Sequence, residues 1–226
     1  MKQLNGLLTQ VLYSYQCPKS LLKAIATYGK NIEWETIKAR GASKNILNTG
    51  RSYIHPSSTL KSVDSLRELH IWLEECLNDV RQSVGWREES VRDLCITQSW
   101  LNRSDIGEMH HKHTHALSIL SGILYLSEPS STRFYLPSIY ALSNTIAGDM
   151  ATNRLEIEEL FEGSYGKLII FPSALAHSVD PNLEPKARLT LSINSWFRGE
   201  VGVAEELVYL PESLNSVIKS ESILAS

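Results

Sequence analysis

The chain has 226 residues, 42% of them apolar and 21% charged, the balance of an ordinary globular protein with one large domain or two small ones. A net charge of −3 gives no strong pull toward nucleic acid or an anionic membrane, and no stretch reaches the ~18 apolar residues a membrane span needs. Three widely spaced cysteines, Cys17, Cys76 and Cys95, argue against a disulfide framework and for a reduced, cytoplasmic setting; the first residues show no signal-peptide pattern.

In chain order, residues 5–16 read as a short strand. Ser20 to Lys30 reads as a helix with Leu21, Leu22, Ile25 and Ala26 on one side. Residues 38–60 are punctuated by Gly, Asn, Pro and Ser and read as loop. From Ser65 to Ser83, Leu66, Leu69, Trp72, Leu73, Cys76, Leu77 and Val80 follow the spacing of an amphipathic helix. Asp64 or Ser62 is the candidate cap, and Gly85 lies just past the end. Residues 91–101 then change to strand periodicity. Residues 127–165 are long and mixed, with a strand-like run at Arg133–Leu136, and read as a lid or specificity element. Arg133, Tyr135, Tyr140 and Arg154 are its candidate substrate contacts. Residues 167–171 form a short apolar strand. Residues 187–197 alternate most cleanly: Leu189, Leu191 and Ile193 face one way, Arg188, Thr190, Ser192 and Asn194 the other. ELVYL, at 206–210, is one more strand, before a Ser-rich end.

Helices followed by antiparallel-type strands predict an α+β fold, a β-barrel or sandwich backed by N-terminal helices. We expect a single domain over 1–226: helical support at 1–90, a barrel core at 91–210 and a tail at 211–226.

The candidate chemistry lies in HHKHTHALSILSGILY, from His110 to Tyr125. An extended strand places His113, His115, Leu117, Ile119, Ser121, Ile123 and Tyr125 on one face. Imidazole is a common ligand for divalent transition metals, and His177 is the best candidate for a third. His110 and His111 read as flanking loop residues. If Arg188 points inward with its polar-faced strand, it needs an anionic partner, because an unpaired buried guanidinium is costly.

The chain carries QSWLN at 98–102, HTH at 113–115, SGILYL at 121–126, GKLIIFPSALAHSVDPN at 166–182 and RLTLSIN at 188–194. Together these pieces resemble the 2-oxoglutarate and Fe(II)-dependent dioxygenases. Within that superfamily they are similar to a group of small oxygenases from phages and marine bacteria, which would place this chain in a host cytoplasm if phage-encoded. The resemblance implies a double-stranded β-helix (jelly roll, cupin-like) core. It also implies Fe(II) held by His113, His115 and His177, and 2-oxoglutarate held by Arg188 with Tyr125 or Ser192 assisting. The partners implied are molecular oxygen and an unidentified small-molecule or peptidyl substrate; no nucleic acid or membrane is implied, and a homodimer stays open. The chain departs from the superfamily at His115, where a carboxylate is usual; Asp105 or Glu108 is the alternative carboxylate. Two other readings stand beside this one. One is a three-His cupin without 2-oxoglutarate, which lacks the glutamate expected near Ile119 and Leu120 and leaves Arg188 without a role. The other is a metal-free jelly-roll binding protein.

Overall fold

The periodicities resolve into two antiparallel sheets and two helices in a computed structural model, which describes residues 3–4, 12–36, 51–54, 59–86, 91–137, 156–203 and 208–210. The elements in order are β1 (Gln3–Leu4), β2 (Tyr13–Gln16), α1 (Lys19–Gly29), β3 (Glu35–Thr36), β4 (Arg51–Ile54) and α2 (Arg67–Ser83). Next come β5 (Val91–Ser104), β6 (His110–His113), β7 (Leu120–Tyr125), β8 (Ser130–Pro137), β9 (Glu156–Gly163), β10 (Lys167–Pro172), β11 (Ala176–Val179), β12 (Arg188–Val203) and β13 (Val208–Leu210). The larger sheet runs β1-β2-β10-β7-β12-β5-β4-β3, with β13 on β12; the smaller runs β6-β11-β8-β9. The two sheets form a double-stranded β-helix, with the helices on the outer side of the larger one. Among the described residues no helix is long and apolar enough to cross a membrane.

The outer core is the stripe of α2 laid on the larger sheet. Leu69, Leu73, Leu77 and Val80 are almost fully buried against Leu94, Ile96, Leu124, Leu168, Leu191 and Ile193. Each such leucine contributes about 1.5–3 kcal/mol relative to leaving it in water. Neither expected cap bonds the helix start; two 3-10 turns, Leu60–Ser62 and Asp64–Leu66, lead into it, and Asp64 pairs with Arg67 at 2.6 Å. Gly85 follows the end at φ +75°, in the left-handed region that glycine tolerates. The inner core, between the sheets, is smaller: Leu12, Ile123, Tyr125, Phe134, Ile169, Phe171 and Leu175. Cys17 and Cys76 are buried free thiols, both pushed up to about 12 by burial, consistent with a packing role.

The alternation of β12 holds. Leu191 and Ile193 enter the outer core, while Arg188, Ser192 and Asn194 are buried on the inner side; Leu189 is only half-buried. Three expectations need correction. The first 90 residues are not only helical, because β2 pairs with β10 and β4 with β5, extending the larger sheet on both sides. The segment 127–165 is not one loop, since β8 and β9 pair along their full length; Tyr140 and Arg154 lie outside the described residues. Finally, no single strand runs from His113 to Tyr125. β6 ends at His113, residues 114–119 carry the chain from one sheet to the other, and β7 begins at Leu120. Leu117 sits on this corner, 88% exposed, with φ +55°.

Candidate metal centre

His113 and His177 face each other across the β6–β11 pairing. His115 reaches them from the corner, not through strand alternation; its N–H donates to the Ser173 carbonyl at 3.0 Å. Ring centroids are 4.3 Å apart for His113 and His177, 5.0 Å for His113 and His115, and 5.1 Å for His115 and His177. A ligand atom from each ring lies within 4.8 Å of the other two. The Nδ1 of His113 bonds the His111 carbonyl at 2.7 Å and that of His177 the Leu175 carbonyl at 3.0 Å. A carbonyl only accepts, so each Nδ1 carries the proton and each Nε2 keeps its lone pair for a metal. The Phe171 ring packs edge-on against His177 at 4.9 Å.

Burial first, and then the His113 charge, pushes His177 down to about 3 and His115 down to about 4; burial also lowers His113. All three rings are therefore neutral at physiological pH, the form that binds metal. Three neutral imidazoles, each offering one ring nitrogen, are a donor set that suits a divalent transition metal.

A hydroxyl network holds the corner in place. Ser173 Oγ donates to Ser118 Oγ at 2.7 Å and lies 2.8 Å from Ser121 Oγ, which donates to Asn194 Oδ1 at 2.9 Å. Ser195 Oγ donates to the Leu120 carbonyl at 2.7 Å. Ser118, Ser121, Ser173, Asn194 and Ser195 thus tie together the three segments around His115.

Beside the imidazoles, a pocket is lined by Trp100, Asn102, Ser104, His110, Thr132, Val179, Arg188, Thr190 and Ser192, among others, with no carboxylate among its described lining residues. Arg188, at the start of β12, is 8% exposed. Its Nη2 donates to the Asp180 carbonyl at 2.8 Å, and it makes no ion pair among the described residues. Ser192 accepts from Asn102 Nδ2 at 2.9 Å. Tyr125 is fully buried behind the wall, its hydroxyl 2.7 Å from Thr132 Oγ1; burial pushes the phenol up.

Three of these residues were missed or misplaced by sequence reasoning. Asn102 sits inside QSWLN but carries no signal of its own. Trp100 lies 5.6 Å from the His115 ring. His110, expected in a loop, belongs to β6 and lines the pocket. Its register explains why: His113 pairs with His177 and His110 with Val179, so two residues of β6 stand opposite Ser178 alone. That bulge turns both His110 and His113 inward. Burial, then His113 and Arg188, pushes His110 down to about 4.

Neither alternative carboxylate lines this pocket. Asp105 pairs with Arg103 at 2.9 Å, and Glu108 accepts from the Asp105 N–H at 2.6 Å. Arg133 and Tyr135, expected as substrate contacts, are not among its lining residues. Arg133 grips Asp180, and the Tyr135 hydroxyl lies 3.0 Å from Ser178 Oγ.

Residues 98–194 match the family model described as "Putative 2OG-Fe(II) oxygenase". No curated protein matches the chain. Among solved structures, a Pseudomonas putida prolyl-4-hydroxylase is 17% identical with a TM-score of 0.57, covering 84% of this chain and 95% of that one. A prolyl hydroxylase from Trichoplax adhaerens, in complex with a hypoxia inducible factor oxygen degradation domain peptide fragment, is 12% identical with a TM-score of 0.55 and covers 85% and 86%. HygX from Streptomyces hygroscopicus, with nickel, 2-oxoglutarate and hygromycin B bound, is 10% identical with a TM-score of 0.53 and covers 83% and 84%. At these identities the likeness is one of fold. The family match runs from within β5 into β12, the stretch that carries the three imidazoles and Arg188, and over it the chain is similar to the 2OG-Fe(II) oxygenases.

Proposed function

We propose that the chain is a dioxygenase that holds Fe(II) on His113, His115 and His177 and binds 2-oxoglutarate with its far carboxylate on Arg188. The observation that carries this reading is one pocket holding three converging neutral imidazoles and a buried guanidinium without a carboxylate partner. When bound, the metal supplies oxygen activation coupled to decarboxylation of 2-oxoglutarate to succinate and CO2, with hydroxylation of a second substrate. The chain's own residues do the positioning. Arg188 offers a planar fork to a carboxylate. Asn102 fixes the Ser192 hydroxyl in the pocket, and Tyr125 holds Thr132 there. Phe171 and Phe134 wall the His177 side with apolar surface that keeps water out.

His115 stands where the superfamily usually has a carboxylate, and the neutral state of its ring supports a three-imidazole design. The second substrate is a small molecule or a peptidyl side chain, bound over the open side of the metal. In the cupin alternative Arg188 has no task, although it lines the same pocket as the imidazoles.

The test is succinate formation with Fe(II), 2-oxoglutarate and oxygen, with and without cell extract as a substrate source. The wild type is expected to turn over 2-oxoglutarate, and His177→Ala to fall to background together with its iron content. Wild-type protein that forms no succinate in either condition, or a variant with full iron content, overturns the reading.

A further inference from the structure

Asp180, just after β11, touches two guanidinium groups at once. Its backbone carbonyl accepts from Arg188 Nη2 at 2.8 Å. Its carboxylate takes two bonds from Arg133 on β8, Oδ1 from Nε at 3.2 Å and Oδ2 from Nη2 at 2.6 Å. Arg133 is further fixed by Glu158 on β9, 3.4 Å from Nη1. Asp180, an acid whose charge acts on the buried Arg188, thus has its carboxylate occupied by Arg133. Left to itself, a carboxylate beside a buried guanidinium would pair with it, because the uncompensated charge is costly. There is room for that movement: an outer cavity is lined by both Asp180 and Arg188, together with Ser131, Leu160 and Glu162. Asp180 and Arg188 already sense each other electrostatically.

We propose that Arg133 is a positioning residue for cosubstrate binding: its two-point grip on Asp180 keeps that carboxylate off Arg188, which stays free for the carboxylate of 2-oxoglutarate. The proposal rests on the reading that Arg188 receives the cosubstrate. Arg133 itself touches no ligand. Without it, Asp180 becomes an internal competitor that occupies the fork whenever the pocket is empty, and 2-oxoglutarate must displace it.

This competition predicts a rescue that a structural role does not. The measurement is the dissociation constant of 2-oxoglutarate for the Fe(II)-loaded protein, by anaerobic calorimetry. The proteins compared are wild type, Arg133→Ala, Arg133→Lys, Arg133→Ala with Asp180→Asn, and Arg188→Ala, each checked for an unchanged melting profile. Arg133→Ala is expected to weaken binding about tenfold or more, the scale of one charge-assisted bond. Arg133→Lys, which keeps the charge but loses the fork, should fall between. Adding Asp180→Asn to Arg133→Ala should restore binding to within about threefold of wild type, because the amide no longer competes as an anion. Unchanged binding in Arg133→Ala, or a double variant as weak as the single one, overturns the proposal. Equal binding by wild type and Arg188→Ala overturns the reading beneath it, and the proposal with it; that result is distinct because it appears without any change at Arg133.

Discussion

The two sheets of this barrel divide the labour unequally. The larger is buttressed by α2 and by long strands, and β5 and β12 pair from Arg188↔Ser104 to Val201↔Val91. Its outer face is a continuous aliphatic core, and its inner face presents Arg188, Asn102 and Ser192 from a rigid support. The smaller sheet has four strands, and β6 and β11, which carry His113 and His177, have four residues each. Among the described residues, its apolar backing is the inner cluster around Phe134 and Phe171. The stiff half thus carries Arg188, the proposed fork for an organic anion, and the slighter half carries two of the three proposed metal ligands. A bound metal would link His113 and His177 to His115 on the corner between the sheets, so the slighter half gains most from it.

That contrast can be broken by experiment. The largest expected effect is on the buttress: Leu77→Ala should lose about 2–5 kcal/mol in urea unfolding through the cavity it leaves, yet bind metal normally while folded. Metal content falling in step with stability would mean that the halves are not separable. Next comes Arg188→Ala, expected to weaken 2-oxoglutarate about 100-fold by calorimetry with little change in metal content, while Arg188→Lys loses less. A third effect is local: adding metal to the stripped protein should slow amide exchange in β6 and β11 more than in β5 and β12. Equal slowing in all four strands would contradict the division.

The smallest expected effect concerns the seam between α2 and β5. Burial pushes the Glu74 carboxyl up, but bonds from His70 and the Ile96 N–H, and the Arg198 charge, outweigh it and hold the group below its ordinary value. A depressed folded-state pKa contributes stability above the unfolded value of about 4.3, and that contribution disappears as pH falls through the folded value. Glu74→Gln should therefore be less stable than wild type at pH 7, and the gap should close on acidification below about pH 4. A gap independent of pH would assign the effect to packing alone.

Much of this was readable wherever the signal is local. The stripe of α2 repeats with the helical period, and β12 alternates with the strand period, so Leu77 and Arg188 declare their sides without knowledge of their partners. The HxH at His113 and His115 with the distant His177 marked the three imidazoles that converge, because that pattern resembles a family motif. What stayed hidden depends on pairing. Alternation continues smoothly through Leu117 although the backbone turns a corner there, because a pattern of side chains does not report a change of sheet. His110 faces inward only because β6 bulges against β11, a register set by the other strand. β8 and β9 were masked by Ser, Pro and outward-facing charge. Arg133 reads as an ordinary loop cation until Asp180, far along the chain, is brought beside it.

The lining of the pocket without Asp or Glu has a thermodynamic consequence. A divalent ion on three neutral imidazoles adds its two charges to that of Arg188, with no anionic side chain among the described lining residues to offset them. A dicarboxylate entering the pocket would supply that missing charge, and linkage requires the benefit to be mutual: whatever factor the metal adds to the affinity for the dianion, the dianion adds to the affinity for the metal. Such a centre would hold its metal more firmly in the company of its cosubstrate than alone.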